Sequence, residues 1–294
     1  MRNDDLPTIK RLGLIAGNGV LPRLVLEEAL ARQIPVTVAA IKEETDVDLD
    51  AITGGPGATE VSVHWVGLGQ LGKLLRTFKQ EGVDSAVMVG QVKHVRIFAP
   101  GSKSPFSQIK HLPDLKMLGL LASLRKKDTG SLIGAVIDKF ESEGVRFLDS
   151  TLFLRPYLAG SGPMTAREPS KEEQLDFEYG RRIALEIAGL DLGQTVVVKN
   201  QAVVAVEAME GTDATVRRAS ELVRGERLTV VKVSRPNQEM RFDVPVIGLR
   251  TLEVLRECNV SALAVDACRT LMVDKEQFLK KAGDAGISVV GFES

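Results

Sequence analysis

The first half of the chain alternates between short apolar runs and stretches in which apolar residues recur at helical spacing. Residues 12–16 form an apolar run that Gly17-Asn18-Gly19 ends, residues 21–30 follow at largely helical spacing, and 34–41 form a β-branched run. A strand, a glycine turn, a helix and a second strand are typical of the start of a βαβ unit. The alternation continues in five further predicted elements, at 71–78, 85–89, 115–124, 132–140 and 145–148.

The second half has a different pattern. Two β-rich runs at 195–199 and 202–207 are separated by Asn200-Gln201, which predicts a hairpin. Helices are then predicted at 213–223, 249–257 and 274–285, and strands at 228–233, 262–265 and 287–292. A hairpin followed by alternating helices and strands predicts an α/β domain whose sheet is not wholly parallel.

Between the halves, a segment rich in glycine and proline has turn composition and no periodicity. We therefore predict an N-terminal domain at 9–155, a linker at 156–169 and a C-terminal domain at 170–294. Clefts between domains commonly bind ligands, so we expect a ligand cleft between these two.

Composition excludes several classes of protein. The chain has 294 residues, 38 Lys and Arg against 39 Asp and Glu, and only 4% aromatic residues. A formal net charge of −1 lacks the basic footprint of a nucleic-acid-binding protein, and the scarcity of aromatic residues removes most base-stacking surfaces. A hydrophobic fraction of 44% with 26% charged residues is ordinary for a soluble globular protein.

The sequence also predicts where the protein is found. The first seven residues are acidic and lack the apolar run of a signal peptide, and no run of roughly 18 apolar residues occurs. Cys258 and Cys268 are isolated, which fits free thiols in a reducing compartment. We expect a cytoplasmic protein with no transmembrane segment, and leave open peripheral contact with a membrane and homo-oligomerisation.

The turn after the first predicted strand is a candidate phosphate site. Gly17 and Gly19 would let backbone N–H groups approach a phosphate at the start of the next helix. Position 22 is Pro, so the dinucleotide fingerprint G-x-G-x-x-G is incomplete and an ordinary tight turn stays open. Gln91 and Lys93 follow the buried strand at 85–89, at an edge where open α/β sheets bind ligands.

A second candidate is the acidic turn at 207–213. Glu207, Glu210 and Asp213 place three carboxylates at one strand-to-helix turn, which suits Mg²⁺ bound by one or two carboxylates plus phosphate oxygens. The alternative is a helix cap, in which Thr212 or Asp213 starts the helix and acidic groups favour its N-terminus.

The densest polar stretch runs from Lys232 to Pro245. It holds three cations, an amide and a carboxylate: Lys232, Arg235, Gln238, Arg241 and Asp243. The prolines at 236 and 245 predict a loop or edge strand. Cations of this kind clamp pyrophosphate oxygens, and a carboxylate holds a metal or positions water; a solvated surface loop is the alternative. In an alternating strand, Asp243 would face away from Phe242 and Val244.

Other catalytic chemistries find no support in the sequence. His64, His94 and His111 lie far apart with no metal-ligand spacing, and we find neither a GxSxG elbow nor a Cys/His pair.

Together, these segments resemble the LpxI family, the UDP-2,3-diacylglucosamine pyrophosphatases of lipid A biosynthesis. The resemblance covers the chain from about Leu12 to Phe292. It depends on five motifs taken in order: Gly-Leu-Ile-Ala-Gly-x-Gly-x-Leu-Pro at 13–22, Gly69 to Gly72, Gly90-Gln91-Val92, Val-Glu-Ala-x-Glu-Gly-Thr-Asp at 206–213 and Gln-x-x-Arg-x-Asp-x-Pro-x-Ile-Gly at 238–248.

The resemblance implies a Rossmann-like N-terminal domain joined to a distinct C-terminal domain. It implies hydrolysis of UDP-2,3-diacylglucosamine to UMP and 2,3-diacylglucosamine 1-phosphate, dependent on Mg²⁺ or another divalent cation, with water attacking the sugar-side phosphorus. The essential aspartate of the family's R-x-D-x-P motif corresponds to Asp243, and Asp213 is a second carboxylate candidate. Relatives often carry Gly-Asp-Asp where this chain has Lys127-Asp128-Thr129-Gly130, so no role is transferred to Thr129.

The sequence therefore predicts three sets of site residues. The catalytic candidates are Lys232, Arg241, Asp213 and Asp243, and the two aspartates are also the candidate metal ligands. The candidate substrate-binding residues are Gly17, Gly19, Gly90, Gln91, Thr212 and Gln238. Two other functions stay open: an NAD-dependent oxidoreductase that uses Glu43 or Glu44 to bind ribose, and a non-catalytic lipid or nucleotide-sugar carrier.

Overall fold

The chain divides into two compact units, Met1–Leu154 and Arg155–Ser294. The computed structural model describes residues 7–42, 44–45, 60–91, 113–124, 129–236 and 238–293. Within this described part, no helix is long and apolar enough to cross a membrane.

The first unit is built on a five-stranded parallel sheet. Its strands are β1 Leu12–Ala16, β2 Val36–Ile41, β3 Val61–Val66, β4 Ser85–Val89 and β5 Arg146–Phe147. Its helices are α1 Leu21–Ala31, α2 Leu71–Gln80, α3 Leu115–Ser123 and α4 Thr129–Ser142. The strand order is β3-β2-β1-β4-β5, so the direction of winding reverses between β1 and β4, as in doubly wound sheets.

The central strands of this unit could be predicted from the sequence because they are buried along their whole length. Every residue of β1 and β2 is buried, as expected of central parallel strands covered on both faces. Pro22 lies at the start of α1, where a missing backbone N–H costs no helical hydrogen bond. The predicted βαβ start is confirmed.

The second unit contains a six-stranded mixed sheet. Its strands are β6 Gly162–Pro163, β7 Thr195–Lys199, β8 Ala202–Val206, β9 Leu228–Lys232, β11 Val260–Asp266 and β13 Ser288–Phe292. The order is β6-β13-β11-β9-β7-β8, with β9, β11 and β13 parallel and the other three antiparallel to their neighbours. Two short strands, β10 Val246–Ile247 and β12 Leu271–Met272, pair separately. The predicted 195–207 hairpin and the mixed sheet are confirmed.

Four helices cover the two faces of this sheet. They are α5 Lys171–Gly189, α6 Thr212–Leu222, α7 Leu249–Glu257 and α8 Lys275–Asp284. Val231 and Val233 pack with Phe177 of α5, whereas Val230 packs on the other face with Val216 of α6. Because side chains alternate along a strand, Lys232 lies on the same face as Val230, towards α6.

The segment 156–169, for which the sequence predicts a linker, is built into the second unit. Ala159 is buried and its backbone N–H donates to the Thr270 carbonyl at 2.8 Å, while the Met164 N–H donates to the Val289 carbonyl at 2.8 Å. A Cβ on Gly291 would lie 1.8 Å from the Gly160 carbonyl oxygen, so only glycine allows this backbone contact. The segment therefore packs closely against β13 at Gly291.

Candidate active site

Lys232 ends β9 with its ammonium group inside the second unit. The residue is 8% exposed, and its Nζ donates to Thr212 Oγ1 at 2.8 Å and to Thr195 Oγ1 at 3.4 Å. Thr195 lies opposite Lys232 in the β7–β9 pair, and Thr212 is the first residue of α6. Sheet register and the helix start therefore bring both hydroxyls to the ammonium.

Glu207 completes this buried group. It is 9% exposed, its Oε1 accepts the Thr212 hydroxyl proton at 3.0 Å, and its Oε2 accepts the Gln194 N–H at 3.3 Å. Oε2 lies 4.0 Å from Lys232 Nζ. Thr212 thus bridges the two charged groups: its hydroxyl accepts a hydrogen bond from the Lys232 ammonium and donates one to the Glu207 carboxylate.

The charges around Lys232 show which acidic residues converge on it. Burial lowers the pKa of Lys232 because the low-dielectric interior disfavours its charged form, and the negative charges of Glu207, Asp213 and Asp243 oppose that shift. The structure therefore brings three of the predicted catalytic residues, Lys232, Asp213 and Asp243, into one electrostatic neighbourhood.

The three carboxylates of the acidic turn take three different partners. Glu207 is buried against Thr212, Glu210 Oε1 accepts from Arg218 Nη2 at 2.8 Å, and Asp213 Oδ2 lies 3.3 Å from Arg250 Nε. The Arg218 hydrogen bond is the largest influence that lowers the pKa of Glu210, to about 2. They do not form one metal-ligand cluster, and the described part of the chain contains no group of three His, Cys, Asp or Glu arranged to hold a metal.

The helix-cap interpretation of this turn is correct in part. Helix α6 begins at Thr212, as predicted, and Asp213 lies in its first turn, where a negative charge is favourable. The N-cap residue is Gly211 at φ +83°, and no side chain makes a capping hydrogen bond there. Thr212 is the first helical residue, and its hydroxyl donates to Glu207.

The polar stretch after β9 forms a loop, one of the two predicted alternatives. Arg235 Nη1 donates to Asp243 Oδ2 at 2.6 Å, and Arg235 Nε lies 3.0 Å from Asp191 Oδ1. Gln238 Oε1 accepts the Arg235 N–H at 2.8 Å, and its Nε2 donates to the Asp243 carbonyl oxygen. Arg235 therefore holds the carboxylate of Asp243, and Gln238 holds its backbone carbonyl.

Arg241 takes a different partner. Its guanidinium binds Glu239, with Nε to Oε1 at 2.9 Å and Nη2 to Oε2 at 2.8 Å, and this contact is the main cause that lowers the pKa of Glu239. Arg235, which was not among the predicted site residues, contacts Asp243. Both arginines lie in the same polar stretch, so the sequence contained no signal that would separate them.

The first unit holds the predicted glycine turn and the segment after β4 side by side. The Gly17 N–H donates to the Val89 carbonyl at 2.8 Å, and Asn18 and Gln91 exchange two backbone hydrogen bonds at 2.8 and 2.9 Å. A Cβ on Gly90 would lie 2.8 Å from the Asn18 carbonyl oxygen, and one on Gly17 would lie 2.9 Å from that of Gln91. This backbone contact explains both glycines without a bound phosphate.

The remaining residue of this candidate set is Gly19, at φ +92° with open space around it. The turn lies between the carboxyl ends of β1 and β4, where the strand order reverses and where doubly wound sheets bind ligands. Several other candidates, Glu43, Lys93, His94, His111, Lys127 and Asp128, lie outside the described residues, as does the Thr129 side chain.

Family comparisons match both units. The model of the LpxI N-terminal domain matches residues 11–157, and that of the LpxI C-terminal domain matches residues 160–290. The chain belongs to the LpxI family. It is 32% identical to the UDP-2,3-diacylglucosamine pyrophosphatase LpxI of Caulobacter vibrioides, over 97% of this chain and 98% of that relative. The resemblance stated from the sequence motifs and the predicted α/β class are confirmed.

Within the LpxI family framework, the buried lysine group lies in the C-terminal domain. Lys232, Asp213 and Asp243 all fall inside the LpxI C-terminal match, whereas the Gly17 and Gly90 contact falls inside the N-terminal match. The charged chemistry and the glycine-mediated loop contact therefore belong to different domains.

Proposed function

We propose that this LpxI-family protein hydrolyses UDP-2,3-diacylglucosamine to UMP and 2,3-diacylglucosamine 1-phosphate, in lipid A biosynthesis. The observation that carries the proposal is the buried ammonium of Lys232, which donates to Thr195 and Thr212, with the charges of Asp213 and Asp243 acting on it. The name of the Caulobacter relative supplies the substrate and the reaction class.

The residues of the site suit a pyrophosphate. A buried ammonium interacts with phosphate oxygens more strongly than an exposed one, because little water screens it. Arg235 and Arg241 add cations on the loop that carries Asp243. Positive groups that are already in place stabilise the charge that develops on the leaving UMP without reorganisation during the reaction.

The two aspartates are suited to a divalent cation that is coordinated by both the protein and the substrate. The side chains of Asp213 and Asp243 are 30% and 41% exposed, so both reach solvent, and each forms its ion pair with an arginine through Oδ2. Mg²⁺ commonly takes one or two carboxylates and completes its shell with water and phosphate oxygens. A bound Mg²⁺ would polarise a phosphoryl oxygen and lower the pKa of a bound water. Asp243 would hold the ion or orient the attacking water, and Asp213 would be the second ligand.

The direct experiment measures UMP release from purified protein and UDP-2,3-diacylglucosamine, with Mg²⁺ and then with EDTA. We expect UMP only with Mg²⁺, and Asp243→Asn protein prepared in parallel controls for a contaminating hydrolase. Absence of UMP in both conditions would contradict the proposed reaction and favour a carrier, whereas equal UMP in both would contradict only the metal requirement. Heavy-oxygen water shows which phosphorus is attacked, with label expected in the lipid 1-phosphate.

The substrate carries two acyl chains, so the proposal includes peripheral contact with the inner-membrane surface. Sedimentation with vesicles of anionic and zwitterionic phospholipid tests this part. Protein that stays wholly in the supernatant with both vesicles would remove it and leave the proposed reaction untouched.

A further inference from the structure

The Lys232 ammonium occupies a position that requires a counter-charge. A lysine buried to this degree loses its proton unless hydrogen bonds and an opposite charge stabilise the ionised form. Thr195 and Thr212 supply neutral acceptors, and Glu207 is the carboxylate within 4.0 Å of Nζ among the described residues. The negative charges of Asp213 and Asp243 also favour the ionised form of Lys232, but neither carboxylate forms a hydrogen bond or a short ion pair with Nζ.

Glu207 faces inwards. Its two carboxylate oxygens accept from the Thr212 hydroxyl and the Gln194 N–H. Its backbone is covered by Gly193, on which a Cβ would lie 1.9 Å from the Glu207 carbonyl oxygen. A carboxylate enclosed in this way acts on the groups packed around it, and these are Lys232 and the hydroxyl of Thr212.

The hydrogen-bond directions link the three groups. A threonine hydroxyl has one proton and two acceptor lone pairs. Since Thr212 gives its proton to Glu207, its lone pairs are turned towards the Lys232 ammonium, which has only protons to give. Neutralising Glu207 removes the attraction to Lys232 and weakens the hydrogen bond that sets this orientation.

We infer that Glu207 is a positioning residue, which keeps Lys232 protonated and aims its ammonium through Thr212. That the aimed ammonium meets a substrate phosphate depends on the proposed function. The coupling between Glu207 and Lys232 does not, because it is a property of the protein without substrate.

The test of this coupling is a titration of Lys232 by NMR in protein free of substrate and divalent cation. The ¹³Cε resonance of Lys232 is assigned by its loss in Lys232→Arg. We expect Glu207→Gln, which keeps the shape and removes the charge, to lower the pKa of Lys232 by about one unit, a tenfold change in the protonation equilibrium. An unchanged midpoint would overturn the inference.

Two further variants separate the coupling from general damage. Glu210→Gln removes a carboxylate from the same turn, but that carboxylate binds Arg218, so the Lys232 midpoint should stay at the wild-type value. Glu207→Asp keeps the charge and should shift the midpoint less than Glu207→Gln does. If Glu207→Gln does not fold, the comparison of Glu207→Asp with Thr212→Val still tests the inference. The inference requires Thr212→Val to lower the titration midpoint of Lys232. Equal Lys232 midpoints in both variants and in the wild type would contradict it.

Activity supplies a second measurement that separates this inference from the proposed function. If protonated Lys232 is required, kcat/KM falls as pH rises through its pKa, and Glu207→Gln moves that fall to lower pH. A shifted NMR midpoint in a protein whose wild type releases no UMP would refute the proposed function and leave the positioning role of Glu207 standing. A wild-type pH profile in Glu207→Gln, together with an unshifted NMR midpoint, would refute the role itself.

Discussion

Arg235 Nη1 and Asp243 Oδ2 lie 2.6 Å apart, an ion pair that joins the two ends of the loop after β9. The same guanidinium reaches Asp191, near the start of the connection between α5 and β7, with Nε and Oδ1 3.0 Å apart. Arg235 thereby ties the aspartate of the family motif to a second loop of the C-terminal domain.

Asp243→Asn should abolish UMP release and leave the fold and substrate binding intact. The Asp243 side chain is 41% exposed, so its replacement by an isosteric amide does not disturb a core. Loss of one group that stabilises developing charge or orients water commonly lowers kcat by about a hundredfold or more. Steady-state UMP release, with binding of the intact substrate measured separately, checks this. Wild-type turnover by Asp243→Asn would show that the aspartate has no catalytic role.

Arg235→Lys should lower kcat by about tenfold, because a charged hydrogen bond contributes about 1.5 kcal/mol or more and this one orients Asp243. Lysine keeps the charge but lacks the planar fork that reaches Asp243 and Asp191 together. The matched control is Arg217→Lys, since Arg217 pairs with Glu257 on the surface, and its kinetics should equal those of the wild type. Equal kcat values for the two variants would argue against a positioning role for Arg235.

Lys232→Met should destabilise the protein by about 3 kcal/mol, since it leaves the buried Glu207 carboxylate without its partner. Adding Glu207→Gln to that variant should recover part of the loss, because the unpaired charge is then removed. Urea unfolding of both single variants and the double variant measures the coupling.

Lys199→Met is the reference for this experiment. Lys199 and Glu226 form an ion pair near the surface, and its loss should change the free energy of unfolding by less than about 1 kcal/mol. Additive effects of Lys232→Met and Glu207→Gln would mean that the two buried groups do not interact.

Gly90→Ala should destabilise the N-terminal domain by about 2 kcal/mol. Gly90 has φ +94°, and an added Cβ would lie 2.8 Å from backbone atoms of Gly17 and Asn18. The comparison is Gly134→Ala within α4, where a Cβ meets nothing within 4 Å and alanine favours the helix by about 0.5 kcal/mol. The midpoint of urea unfolding should fall in Gly90→Ala and rise in Gly134→Ala. An unchanged midpoint in Gly90→Ala would contradict the loop contact.

Much of the fold was predictable because burial leaves a periodic signal. β1, β4 and α7 begin and end where the apolar runs and helical spacing indicate. β3 is not among the predicted elements, although Ser62 and His64 alternate with its apolar residues, which is itself a strand pattern; both polar side chains bind Glu81. The longest helix, α5, was also missed, although its start carries a readable signal: Ser170 and Glu173 form a capping box.

The candidate site was predicted less completely than the fold. Lys232, Asp213 and Asp243 were named from residue type and resemblance, and the structure places them in one electrostatic neighbourhood. Glu207 was grouped with Glu210 and Asp213 as an oxygen donor for a metal, whereas the structure turns it inwards to Thr212. The Gly17 turn has a steric explanation in the backbone of Gly90, which is remote along the chain.

The sequence by itself determined most of the helices and strands, the α/β class and the family, because each depends on local periodicity or on motifs in a fixed order. Only the tertiary structure decided which charged groups meet. Which groups pair depends on the register of β7 against β9 and on the face of the sheet from which each side chain projects. Lys232 therefore contacts Thr195, 37 residues away along the chain, and Thr212, 20 residues away. Arg235 and Arg241 have the same chemistry in the sequence, and the path of one loop assigns the first to Asp243 and the second to Glu239.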